Sequence, residues 1–136
     1  MIIRSVMKMV VSYPKNCDNA PKKRLLVELY QHLLEGELDH VDEVIAKNCQ
    51  WIQVGKEVYT DKEKILSELN SIFSHVVTPL EVKDLITHGN TAAVYGTITR
   101  KDSTRIEFCD VFRFNGFSKS AKISEIRSYW IKEKEA

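Results

Sequence analysis

Apolar positions recur along this chain in two rhythms, and the change between them divides it into a helical first half and a stranded second half. From Lys22 to Glu35, the residues Leu26, Leu29, Tyr30, Leu33 and Leu34 return every three or four positions, with Lys and Glu between them. That spacing predicts an amphipathic helix, and Gly36 is a natural stop for it. A shorter helix is expected over Leu38 to Ala46, placing Leu38, Val41 and Ile45 on one side. Asn48 to Val54 carries Trp51, Ile52 and Val54 and reads as a short strand. The run Thr60-Asp61-Lys62-Glu63 has capping-box spacing and should open a second long helix. Its buried side would be Ile65, Leu66, Leu69, Ile72 and Phe73.

Past Pro79 the period falls to two. Leu80 to Thr87 is rich in branched residues, and His88-Gly89-Asn90 is a turn signal. Strands are then expected over Thr91 to Lys101, Thr104 to Phe114 and Lys122 to Lys132, broken at Asp102-Ser103 and Asn115-Gly116. Helices first and antiparallel strands afterwards indicate an α+β fold: a cone-shaped, curved antiparallel sheet closed on one side by two to three helices. On the last strand Ile126, Ser128 and Trp130 share one face, and Glu125, Arg127 and Tyr129 share the other. The strand before it repeats the arrangement, with an acid and an arginine (Glu107, Arg113) on its second face.

One position breaks the apolar pattern. Alternation along a strand puts Phe108, Asp110, Phe112 and Phe114 on a single face, so a carboxyl stands among aromatic rings with no obvious cation beside it. Desolvation disfavours the charged form, and the pKa of Asp110 should rise. A neutral carboxyl can donate a hydrogen bond to an oxygen on which charge is developing, which an ionised one cannot.

Composition narrows the setting without changing that picture. A chain of 136 residues suits one hydrophobic core. With a net charge of +1 and no basic stripe interleaved with aromatics, it has little to offer nucleic acid. Nothing is apolar for long enough to span a membrane as a helix. Cys17, Cys49 and Cys109 are odd in number and widely spaced, which fits reduced thiols in a cytoplasmic protein. Residues 1–21 read as an extension and linker ahead of a single domain over 22–136. Within that extension Met1 to Val11 reads as a strand, a loose segment or residues upstream of the true start, with Met7 and Met9 as alternative starts, and Pro14 to Pro21 is the linker.

The segment Asp110-Val111-Phe112-Arg113-Phe114-Asn115-Gly116, followed by Lys122 through Trp130, closely resembles the closing hairpin of ketosteroid isomerases. Gly36-Glu37-Leu38-Asp39 resembles the end of the first helix, and Gln53-Val54-Gly55 the pocket loop, of the nuclear transport factor 2-like superfamily. That superfamily includes the SnoaL-like polyketide cyclases, and the resemblance runs from Lys22 to Lys132. It implies that Asp110 matches the hydrogen-bond-donating acid of the isomerases and that Trp130, Ser128, Ile126 and Phe112 form the pocket wall. It also implies two departures. The isomerases' general base falls at Ile52, with Gln53 beside it, and isoleucine cannot move a proton. Their oxyanion tyrosine falls at Leu29, and Tyr30 is offset by one residue, about 100° around a helix.

The expected site therefore has Asp110 and Tyr30 as its chemical groups. Trp51, Ile52, Phe73, Phe108, Phe112, Ile126, Ser128 and Trp130 are its expected ligand-binding walls. His32, His40, His75 and His88 are the other groups able to carry protons near neutral pH. His32 and His40 read as solvated, His75 as the end of a helix and His88 as part of a turn, with no metal-ligand spacing among them. No metal or cofactor is called for. The expected function is binding of a small apolar molecule bearing a carbonyl or hydroxyl, with isomerisation, cyclisation or hydration by proton transfer. The competing expectation is a non-catalytic binding or scaffold module. In either case the superfamily resemblance implies a homodimer through the outer sheet face, where Val111, Tyr129 and Ile131 lie.

Overall fold

The computed structural model describes residues 10–15, 17 and 20–133. In chain order the elements are β1 (Val11–Ser12), α1 (Pro21–Glu35), α2 (Leu38–Val44), β2 (Ile45–Gln53), β3 (Glu57–Tyr59) and α3 (Lys62–Phe73). Four long strands follow: β4 (Val76–His88), β5 (Thr91–Arg100), β6 (Arg105–Phe114) and β7 (Ile123–Lys132). They build one seven-stranded sheet in the order β1-β4-β5-β6-β7-β2-β3. The strands β4 to β7 form an antiparallel meander, to which β1 and β2 add parallel neighbours. The sheet is curved but does not close into a barrel, and the three helices cover one face. This is the α+β architecture expected from the sequence.

Gly36 ends α1 as its position predicts. Its φ of 72° is left-handed, and the N–H groups of Gly36 and Glu37 reach back to the carbonyls of Leu33 and His32. Glycine adopts that conformation without the Cβ clash other residues meet. Leu26, Leu29, Tyr30 and Leu33 of α1 are buried, as are Ile65, Leu69 and Phe73 of α3. On α3 Leu66 and Ile72 flank that stripe and are only partly buried.

The elements differ from expectation in four places. Ile45 is fully buried as the first residue of β2 rather than the last contact of a helix, since α2 stops at Val44. The Thr60 capping box does not form: Asp61 occupies the N-cap and makes no side-chain cap bond. The three-residue strand β3 goes unseen in the sequence because it is too short to show a period. Finally, β4 runs back through Pro79 to Val76, with a register shift between Val77 and Glu81 that accommodates the proline. Next to that irregularity β4 and β5 come close together. A Cβ on Gly96 would overlap the Glu81 carbonyl oxygen, so only glycine fits.

The residues ahead of α1 share the same core. Val11 pairs with Leu80 across β1 and β4, and both Val11 and Cys17 are buried. The reading of Met1 to Val11 as strand or loose segment lies largely outside the described residues.

Candidate functional site

The meander fixes which side chains meet beneath the helices. Across β5, β6 and β7 the register aligns Val94, Asp110 and Ser128, and Phe108 with Trp130. In the parallel pairing of β2 with β7, Trp51 lies beside Ile126 and Gln53 beside Ser128. Each of these points to the helix side, because strand partners share a face.

Asp110 is 4% exposed. Its Oδ2 accepts a hydrogen bond from the Tyr30 hydroxyl at 2.6 Å, and its Oδ1 accepts one from the Trp130 indole N–H at 2.8 Å. Ser128 is the third hydrogen-bonding neighbour of the carboxyl, and its own Oγ accepts the Trp51 indole N–H at 2.9 Å. The salt bridges of the described residues leave Asp110 out entirely. Burial pushes its pKa up, while the bonds from Tyr30, Ser128 and Trp130 favour the charged form and only partly offset that rise. Burial also holds the Tyr30 hydroxyl well above the usual phenol range, and the neighbouring Asp110 raises it further. Tyr30 is therefore neutral and can donate. It is held by the rings of Phe108, Phe73 and Phe112, with centroids at 5.8, 6.2 and 6.3 Å.

Two spaces open from this constellation. The inner one, bounded by Tyr30, Asp110, Trp51, Phe73, Phe112 and Ile126 among others, has a volume of about 20 Å³. That is room for a water molecule. The outer one is a cleft of about 320 Å³ between the end of α3 and the ends of β2, β5 and β7. Ser128 and Trp130 border both spaces. Trp130 thus forms a partition, with its ring in the wall of the cleft and its N–H on the acid behind it.

Of the ten residues singled out in the sequence, Asp110, Tyr30, Trp51, Phe73, Phe112, Ile126, Ser128 and Trp130 gather around these spaces. Phe108 is buried against Tyr30 without bordering either. Ile52 lies elsewhere. It pairs with Arg127 on the opposite face of the sheet, and its neighbour Gln53 faces the cleft instead. The outer face carries the expected acid and arginine on both strands, and Glu125 and Arg127 lie 3.7 Å apart as an ion pair. Glu107 instead engages Lys83 and Thr97.

Sequence reasoning missed the cleft's polar rim of Lys56, His75, Arg100 and Lys132. For two of the four the signal was present, because Ser128, Trp130 and Lys132 continue one face of β7 by twos, as Ile98 and Arg100 do on β5. His32 and His40 are also not separate solvated groups. Their rings stack at 4.4 Å, His32 Nδ1 lies 2.7 Å from Glu37 Oε1, and the ligand atoms of His32, Glu37 and His40 all fall within 4.8 Å of one another. Among the described residues this trio is the one group of three able to hold a metal ion.

Residues 26–124 match the family model of the SnoaL-like domain, nearly three quarters of the sequence. The chain belongs to the SnoaL-like domain family. Solved structures agree on the fold. The epoxide hydrolase/cyclase-like enzyme SalBIII, which acts in pyran ring formation in the polyether salinomycin, is 23% identical and superposes with a TM-score of 0.68, over 84% of this chain and 93% of that one. An M. tuberculosis LEH-like epoxide hydrolase is 16% identical, with a TM-score of 0.59 over 79% and 80%. A ketosteroid isomerase candidate from Kribbella flavida is 16% identical, with a TM-score of 0.65 over 83% and 79%. At these identities the likeness concerns the fold alone. No curated protein matches the chain. No helix among the described residues of this SnoaL-like protein is long and apolar enough to cross a membrane.

Proposed function

We propose that this SnoaL-like protein binds a small, mostly apolar molecule bearing a carbonyl, hydroxyl or ether oxygen, and moves a proton on that oxygen with Asp110 and Tyr30. The observation that carries this reading is a buried carboxyl with no cationic partner, bonded to a tyrosine at 2.6 Å and to the tryptophan that walls a ligand-sized cleft. Buried acids of this kind are costly to maintain and cluster at functional sites.

The pair can work in two protonation states. With Asp110 ionised, Tyr30 donates to it. With Asp110 protonated on Oδ2, the carboxyl donates to the phenol oxygen and the Tyr30 hydroxyl is free to donate to a ligand oxygen. Trp130 has to yield for a ligand oxygen to arrive, since the inner space holds no more than a water. Ring closure, ring opening and double-bond migration all need such a proton donor. The first two correspond to what SalBIII and the epoxide hydrolase are described as doing. A partner base can come from His75, which borders the cleft.

The test is turnover of a panel of small epoxides and β,γ-unsaturated ketones. Any activity found should fall at least about 100-fold in Asp110→Asn, the usual scale for a lost general acid. Undiminished activity in that variant removes Asp110 from the mechanism.

A second reading has its own support. Both carboxyl oxygens are occupied by protein donors, as in a purely structural network, which favours a binding module that uses the cleft alone. In that reading the outer face, where Tyr95, Cys109 and Tyr129 align across three strands and Ile131 is 69% exposed, is a homodimer surface. Tyr129→Glu with Ile131→Glu should then convert a dimer to a monomer in sedimentation equilibrium. A wild-type chain that sediments as a monomer ends the dimer reading.

A further inference from the structure

The rim of the cleft has one sign of charge. Lys56 lies beyond the end of β2, Arg100 ends β5 and Lys132 ends β7, so three strand termini bring three cations to one mouth, with His75 beside them. Among the described residues no carboxylate borders the cleft. None of the three cations takes part in a salt bridge among the described residues. The acid that senses Arg100 and Lys132 is Asp102, outside the cleft wall, and its Oδ1 already accepts the Thr104 N–H at 2.9 Å. In a chain of net charge +1 this is a local excess, not a reflection of overall basicity. Below the rim the walls are apolar, formed by Ile72, Val76, Ile98, Ile106 and the Trp130 ring.

We infer that the ligand of this cleft is an amphipathic organic anion, a carboxylate on an apolar body. Its charge is held at the Lys56–Arg100–Lys132 mouth and its body lies against the Trp130 wall. The guanidinium of Arg100 can grip a carboxylate through two parallel hydrogen bonds, while the lysines supply point charge. Anchoring the anion at the mouth turns the other end of the molecule toward Trp130, Ser128 and the acid behind them. This assignment rests on the proposal that the cleft is the ligand site, and it names the class of molecule that site selects.

The probes are 2-naphthoate and its neutral counterpart 2-naphthalenemethanol, titrated calorimetrically into the wild type and into the double variant Arg100→Gln, Lys132→Gln. Both substitutions lie at exposed strand ends without ion partners, so the melting temperature should not change. The expected result is at least tenfold tighter binding of the acid than of the alcohol at low salt. That preference should shrink with added salt and be lost in the double variant, with affinity for the alcohol unchanged. Equal binding of acid and alcohol, or a preference that survives the double variant, overturns the anion assignment while leaving the cleft as a ligand site. Failure of both probes to bind overturns the cleft reading and this inference with it.

Discussion

The two spaces on the helix side of the sheet divide what an active site needs. The inner one has the chemistry, a dry carboxyl and a neutral phenol, but only about 20 Å³ of room. The outer one has about 320 Å³ and a cationic rim, with no acid among the described residues that line it. Two side chains, Trp130 and Ser128, border both. Reactivity and capacity are therefore set by different strand positions, and Trp130 with Ser128 couples them.

Removing the acid should have the largest effect. Asp110→Ala strands the Tyr30 hydroxyl and the Trp130 N–H without their acceptor, and each unpaired buried group costs about 1–3 kcal/mol. Urea denaturation should show a loss of about 2–5 kcal/mol, and Asp110→Asn, which keeps an acceptor oxygen, should lose less. A comparable stability loss is expected in Gly96→Ala, on β5 opposite Phe108, where backbone must move to admit a methyl against Glu81.

The partition comes next. Trp130→Ala should join the two spaces and cost about 2–4 kcal/mol, somewhat below a fully buried tryptophan because Trp130 is partly exposed. Trp130→Phe keeps the wall and removes only the N–H, at about 1–2 kcal/mol. If the partition account is right, the alanine variant admits a bulkier naphthyl ligand to Asp110 and the phenylalanine variant does not. Equal ligand-size limits in the two variants, measured by calorimetry, would count against it. Tyr30→Phe is smaller still, about 1 kcal/mol. It should move the Asp110 pKa further up, because a donor favouring the charged form is gone.

The smallest effect is the pH dependence of stability. The folded-state pKa of Asp110 lies above its unfolded value, so the folded state binds the proton more tightly. Its contribution is fully present below the unfolded pKa of about 3.9 and is lost as pH rises through the folded pKa. The stability difference between wild type and Asp110→Asn should therefore decline from about pH 4 upward and level off above the folded value. A difference that grows with pH over that range would reverse the sign of the argument.

Much of the fold was legible because period alone separates helix from strand. Leu26 to Leu34 could only be a helix face, and the alternation from Phe108 to Phe114 placed Asp110 in the interior correctly. Local signals failed where tertiary packing had the last word. Ile45 has the right spacing from Leu38 and Val41 for a helix, yet the chain gains more by burying it at the start of β2. Thr60 satisfies a capping-box pattern, but the helix begins one residue later. The Tyr30–Asp110 bond joins residues 80 apart, and no period reports it. A resemblance suggested the pair, although by gapless register it pointed to Leu29. The two spaces were not legible, because a volume depends on how Trp130 sits between elements. Arg100 and Lys132 of the cationic rim were recoverable by extending the inner faces of β5 and β7 by two residues, whereas Lys56, in the turn after β2, was not.

Asp110 is a buried carboxyl, reluctant to ionise behind the Trp130 indole. The most direct measurement is a carbon-13 NMR titration of the Asp110 side-chain carboxyl, assigned by its loss in Asp110→Asn. The account predicts a midpoint clearly above the ordinary aspartate value of about 3.9, rising further in Tyr30→Phe. A midpoint at or below that value would mean the surrounding donors outweigh burial, and it would contradict the proposed role of Asp110 as a proton donor.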